Sequence, residues 1–241
     1  MGRAFEVRKA AMAKTHAMKA KLYSRYGKEI YQVAKNGGPD PNANLALRSL
    51  INKAKKQDVP SDVINRAIEK AKSGVGDDYI ENRYEGFGPN GATIIVDCMT
   101  DNVNRTVSEV RNCFTKTDNK MGVNGSVSHM YHEWSVVSFT GLTEDETLEI
   151  LLEADIDIED IEVEDDIVTV YGDPKDLNNI KTTLEKVESV KIDVEEIAMI
   201  PMNMVTLEGE DLENFKKLID MLNDVDDVDR IYHNVELPEE E

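Results

Sequence analysis

The sequence predicts an α+β protein, with a helical N-terminal third followed by two units in which strands and helices alternate. Apolar residues recur at helical spacing from about residue 4 to 73. Beyond a glycine-containing break at Ser73-Gly74-Val75-Gly76-Asp77-Asp78, β-branched runs take over. Charge changes at the same place. Residues 1–76 hold 16 Lys+Arg against 6 Asp+Glu, a net of +10, and residues 77–138 hold 5 against 9. Residues 139–241 hold 7 against 33, a net of −26, within a 241-residue chain of net charge −20.

The helical third divides into three. Ala10, Ala11, Ala13, Ala17 and Ala20 favour helix, and Leu22, Tyr26, Ile30 and Val33 form its apolar stripe, with Gly27 a candidate kink. Asn36-Gly37-Gly38-Pro39-Asp40-Pro41 stops this helix, because Gly accepts a left-handed cap and Pro forbids continuation. Asn44 is placed to cap a second helix with Leu47, Leu50, Ile51 and Ala54 inward. Pro60-Ser61-Asp62 opens a third, burying Ile64, Ala67, Ile68 and Ala71. The expected domain spans 1–77.

Ala92–Met99 then reads as a strand, Arg105 to about Lys116 as a helix and Ser126–Trp134 as a strand. Ser135–Thr140 is a further strand, and Thr143 with Glu146 forms a capping box for a helix running to Ala154. Two short strands between Ile156 and Tyr171 turn near Glu164-Asp165-Asp166, Asp173-Pro174 starts another helix, and Lys191–Ile200 is a strand. Residues 135–200 therefore read β-α-β-β-α-β, the ferredoxin-like order. Met202–Leu207, Glu210–Leu222 and Arg230–Val235 add strand, helix and strand. The expectation is two ferredoxin-like domains, with an acidic one (135–200) inserted into one made of 78–134 plus 201–241.

No apolar run reaches the roughly 18 residues of a membrane span, and Met1-Gly2-Arg3-Ala4-Phe5-Glu6 carries no signal-peptide core. Cys98 and Cys113 are too few for a disulfide framework. A cytoplasmic protein with no membrane partner is expected. Gly86-Phe87-Gly88-Pro89-Asn90-Gly91 spells G-x-G-x-x-G but precedes a strand, so it reads as a turn with positive φ, not a dinucleotide loop. His129 and His132 sit at odd spacing on an expected strand and so face opposite ways. The acidic run from Asp155 to Asp166 lacks the glycine and closing glutamate of a calcium loop. No nucleophile elbow or paired catalytic set is present. The expectation is a non-enzyme with no cofactor and no metal.

The basic third carries the specific functional expectation. Lys14, Lys21, Lys28 and Lys35 are seven apart and share one drifting helical stripe, with Arg25 close by. Arg8, Lys9 and Lys19 extend the charge, and Lys53, Lys55 and Lys56 add to it from the second helix, with Arg66, Lys70 and Lys72 on the third. Phosphate contact depends on local charge density, so this stripe fits a nucleic-acid backbone despite the acidic whole. The competing reading has the basic domain packed on the acidic ones. Tyr23, Tyr26 and Tyr31 fit either base stacking or core packing. Asp101-Asn102-Val103-Asn104-Arg105-Thr106 joins strand to helix, where Arg105 would add charge at a helix N-terminus or serve an interdomain contact.

Tyr84-Glu85-Gly86-Phe87-Gly88-Pro89-Asn90-Gly91, Thr100–Thr106 and Gly125-Ser126-Val127 resemble the YebC family, as do Gly37–Pro41, Asn44 and the Lys53-Ala54-Lys55 helix. The opening Gly2-Arg3-Ala4-Phe5-Glu6 departs from the usual glycine-histidine-serine-lysine-tryptophan start. With Tyr23–Tyr31 it is closer to the YeeN branch. The resemblance implies three domains and a cytoplasmic, DNA-binding transcriptional regulator. It also implies a translation-directed alternative at the ribosome, contacting ribosomal RNA, as in the mitochondrial translational activator of cytochrome c oxidase. Charge adds a third possibility, an adaptor whose acidic domains hold a basic protein.

Overall fold

Helix α1 (His16–Gly37) runs unbroken through Gly27, burying Tyr26, Ile30, Tyr31 and Ala34 against α2 (Leu45–Lys56) and α3 (Ser61–Ser73). This computed structural model describes residues 16–74 and 78–237. Asn44 caps α2 as its position requires, accepting the Leu47 N–H at 3.1 Å, and Gly74 closes α3 in the left-handed conformation. Leu47, Ile51, Ile64 and Ile68 complete this core, with Val59 from the loop between α2 and α3 and with Tyr79 packed against it.

The first sheet is antiparallel, in the order β3-β1-β2-β9, from β1 (Ile80–Phe87), β2 (Thr93–Thr100), β3 (Lys120–Met121) and β9 (Val228–His233). The hairpin between β1 and β2 turns at Pro89–Gly91 with positive φ at Asn90 and Gly91, as the glycine-rich motif implied. Helices α4 (Val103–Lys116) and α7 (Gly209–Asn223) cover one face, where Ile94, Val96, Val110, Phe114, Phe215 and Leu218 meet. Gly86 is required by this packing, since a Cβ there would lie 2.3 Å from Phe114 Cε1.

Strand β1 is an addition to the sequence reading. The segment expected as the strand Met202–Leu207 instead gives only β8 (Val205–Thr206), paired in parallel with β10 (Val235–Glu236). Ile80–Phe87 thus becomes a central strand of the first sheet, ahead of β2 in the chain and paired with both β2 and β3. His129 lies in a short 3-10 turn (Ser128–Met130), not on a strand.

The second sheet has the order β5-β6-β4-β7, all antiparallel, the ferredoxin-like order for its βαββαβ sequence. Its strands are β4 (Tyr131–Thr140), β5 (Asp160–Glu164), β6 (Ile167–Gly172) and β7 (Lys191–Pro201). Helix α5 (Glu144–Glu153), with its Thr143–Glu146 capping box, and α6 (Leu177–Leu184) cover the core of Val137, Phe139, Leu151, Val168, Val170 and Ile180. The two strands expected at 126–134 and 135–140 are one. β4 pairs with β7 from Tyr131↔Pro201 to Thr140↔Lys191. Its first residues pack beneath the other sheet. Tyr131 and Met199 bury Ile95, and the Tyr131 hydroxyl donates to Thr93 O at 3.0 Å. That explains why β2 is apolar on both faces.

His233, at the end of β9, meets Phe215 edge to face with centroids 5.3 Å apart. Burial pulls its pKa from 6.5 down to about 4. The unfolded chain therefore binds a proton that the folded chain refuses in this window, and stability falls as pH drops through it. Urea unfolding at several pH values is expected to show a shallower loss between pH 6.5 and about 4 for His233→Gln than for the parent. Parallel profiles would exclude His233 as the source.

Candidate nucleic-acid interface

The predicted basic residues separate into two sets. Arg8, Lys9 and Lys14 lie outside the described residues. Several of the others are turned onto the acidic part of the chain. Lys21 Nζ donates to Asn223 O at 2.7 Å, at the C-terminus of α7 where the helix dipole is negative. Burial lowers its pKa, an effect Asp229 partly offsets. Lys28 Nζ reaches Met99 O and Asp226 O, both at 3.1 Å, and Asp227 Oδ1 at 3.3 Å. Arg25 Nε lies 2.9 Å from Glu29 and 3.2 Å from Asp229. Lys53 Nζ donates to Glu195 O on β7 at 2.8 Å, and burial lowers its pKa as well. Lys35 pairs with Asp78 at 2.6 Å, and Lys56 lies 3.8 Å from Glu185. Lys19 and Lys55 are exposed, as are Arg48, Arg66, Lys70 and Lys72 on α2 and α3.

Arg105 belongs to a different arrangement, centred on Asp227. Asp227 Oδ2 accepts from Arg105 Nη2 at 2.6 Å, Thr106 Oγ1 at 2.9 Å and Thr100 Oγ1 at 3.0 Å, while Lys28 approaches its other oxygen. Arg105 also holds Asp101 at 2.9 Å, and Asn102 caps α4 by accepting the Arg105 N–H at 3.1 Å. Burial opposes ionisation of Asp227. The donors from Arg105, Thr106 and Thr100 outweigh it and hold the carboxyl below its ordinary value, and the same bonds raise Arg105. The Thr100–Thr106 motif is thus a receptor for an anion that the chain itself supplies. An open cleft of about 750 Å³ lies beside it, lined by Lys28, Arg105, Asp101, Glu109, Asp224 and Asp226 among others.

Sequence reasoning missed a second buried carboxylate. Glu85, 1% exposed, accepts the N–H groups of Gly125 at 2.8 Å, Ser128 at 2.9 Å and Val127. Burial pushes this carboxyl up, but the three amides prevail and its pKa is lowered. The signal was the pairing of Tyr84-Glu85-Gly86 with Gly125-Ser126-Val127, two motifs about forty residues apart that make one contact.

Family models match the chain over residues 3–74, as the TACO1/YebC protein N-terminal domain, and over 79–235, as the TACO1/YebC second and third domain. The chain belongs to the TACO1/YebC family. A probable transcriptional regulatory protein of Pseudoalteromonas atlantica is 54% identical over 235 residues, 97% of each chain. Another, from Alteromonas mediterranea, is 54% identical over 239 residues, 99% of this chain and all of that one. A conserved hypothetical protein from Aquifex aeolicus, known from its crystal structure, is 35% identical with a TM-score of 0.78, covering 95% of this chain and 94% of that one. In this TACO1/YebC chain, two of the recognised motif blocks hold the buried carboxylates, Thr100–Thr106 binding Asp227 and Tyr84–Gly91 supplying Glu85 to the loop at Gly125.

Asp227→Ala would leave the buried Thr100 hydroxyl without its acceptor and Lys28 without a counter-charge, while Thr106 keeps Asn102 O at 3.0 Å. Discounted for the half-exposed Arg105, a loss of about 2–3 kcal/mol is expected in denaturant unfolding. Asp226→Ala, which keeps the main-chain carbonyl that Lys28 uses, is expected to cost under about 0.5 kcal/mol. Equal effects would show that the Asp227 carboxylate is not the joint between helices and sheet.

Proposed function

We propose that this protein is a non-enzymatic, cytoplasmic regulator of gene expression that binds nucleic acid through its helical N-terminal domain. The observation that carries the reading is the division of the cations. Lys21, Arg25, Lys28 and Lys53 face the acidic sheets, whereas Lys19, Arg48, Lys55, Arg66, Lys70 and Lys72 stand on the exposed surface of the helices. A polyanion approaching this chain is repelled by the −26 segment and attracted to that surface, which orients it before contact.

The exposed cations are spread over three helices rather than gathered on one recognition helix, an arrangement suited to phosphate contact rather than base reading. DNA is the first target in this reading, in keeping with relatives named as probable transcriptional regulatory proteins. RNA, including ribosomal RNA, offers the same phosphates and is the competing target. The α+β domains, in the same reading, keep the helical domain oriented and leave an acidic surface toward protein partners.

Fluorescence anisotropy against duplex DNA and structured RNA of equal length tests this. The double variant Lys19→Gln, Lys55→Gln is expected to weaken binding and to lower the slope of log affinity against log salt by about 1–2. An unchanged slope would remove the exposed helical surface from the interface. Preference between the two polymers at matched salt would decide between DNA and RNA.

A further inference from the structure

Between α1 and α3 runs a groove of about 370 Å³ that the helical core leaves unfilled. Its walls follow from helical spacing. Tyr23, Gly27 and Tyr31 share one face of α1, and Arg66 and Lys70 stand four apart on α3. Gly27 keeps the floor open: an added Cβ would already be in contact with Val63 Cγ1 at 3.7 Å, so a longer side chain would occupy the groove itself. Tyr79 closes one end, meeting Tyr31 edge to face with centroids 5.8 Å apart. Tyr31 is core, whereas Tyr23 and Tyr79 are half-buried.

Cations surround these rings. Lys70 Nζ lies 4.9 Å from the Tyr31 centroid and 5.8 Å from that of Tyr79, and Lys28 Nζ lies 5.7 Å from Tyr79. Arg66, exposed on the lip, is steadied by donating to Asp62 O at 3.1 Å. No carboxylate is among the described residues lining the groove, in a chain of net charge −20. The adjoining cleft, which shares Ser24, Lys28 and Tyr79 with it, is lined by acids. The groove therefore combines aromatic surface with cations and without the repulsion that covers most of the molecule.

We propose that this groove receives one nucleotide of a single-stranded nucleic acid, with its base against Tyr23 and Tyr79 and its phosphate held at the lip by Arg66 and Lys70. The inference rests on the nucleic-acid reading above and adds to it a base-accepting site. Paired bases in a duplex already stack on each other, so only an unpaired base offers its face to tyrosine. Stacking needs no particular base, which suits a groove with few hydrogen-bonding groups in its floor.

The test compares three short strands on the full-length protein by anisotropy: oligoadenylate as RNA, the same as DNA, and an abasic strand of equal length. Intact strands are expected to bind about fivefold or more tighter than the abasic one. Tyr23→Leu and Tyr79→Ala should each remove most of that difference while leaving abasic binding unchanged, and Gly27→Met should abolish it by filling the groove. Tyr23→Leu preserves apolar volume, and an unchanged melting curve separates lost stacking from lost folding. Equal binding of intact and abasic strands by the parent protein would overturn the groove while leaving phosphate binding in place, as would tyrosine variants that keep the preference. Failure of every strand to bind would overturn this inference; retained duplex binding in the earlier titration would then preserve the broader reading.

Discussion

Asp227 is the carboxylate on which the arrangement of helices against sheets depends. With 6% of its side chain exposed, it is surrounded by two threonine hydroxyls, a guanidinium and an ammonium drawn from β2, α4 and α1. A lone buried charge would be costly, and these four donors offset that cost. Around it the other contacts of α1 fall into place: Lys21 on the last carbonyl of α7, Lys28 on carbonyls at β2 and before β9, and Arg25 on Asp229. Attraction between a basic domain and an acidic remainder supplies a general pull. The carbonyls and Asp227 supply the register.

Much of the fold was legible because its signals are local. Asn44 and the Thr143–Glu146 box act within a few residues and make the caps expected of them, and Asp173-Pro174 opens a 3-10 turn that leads into α6. Strand β1 escaped notice because Ile80-Glu81-Asn82-Arg83-Tyr84-Glu85 offers little apolar alternation. Two of its charged residues are held nonetheless, Arg83 by Asp97 at 2.6 Å across the sheet and Glu85 by loop amides. The Met202–Leu207 segment misled for the opposite reason. It is apolar enough for a strand, but among the described residues it pairs with another strand at Val205 and Thr206 alone.

The site was half legible. Net charge by segment located the basic domain, and helical spacing located the stripe. What spacing could not reveal is which cations already have acceptors, because several of those acceptors are backbone carbonyls of residues such as Asn223, Met99 and Glu195. A carbonyl is identical in every residue and leaves no mark in composition. The tyrosines divide on the same principle. Tyr26 and Tyr31 are core and Tyr23 is half-buried, a distinction that depends on α3 lying across α1 and on Gly27 leaving space there.

The separation of 199 residues between Lys28 and Asp227 also has a meaning in time. At the pace of synthesis, roughly 5–20 residues each second, the acceptor is polymerised some 10–40 s after the lysine. The helical core of α1, α2 and α3 contains no residue from beyond Tyr79, so its parts are assembled early. For that interval Lys28 is without its carboxylate. The turn carrying Asp226 and Asp227, just before β9, is among the last acceptors of the inner cations to be made.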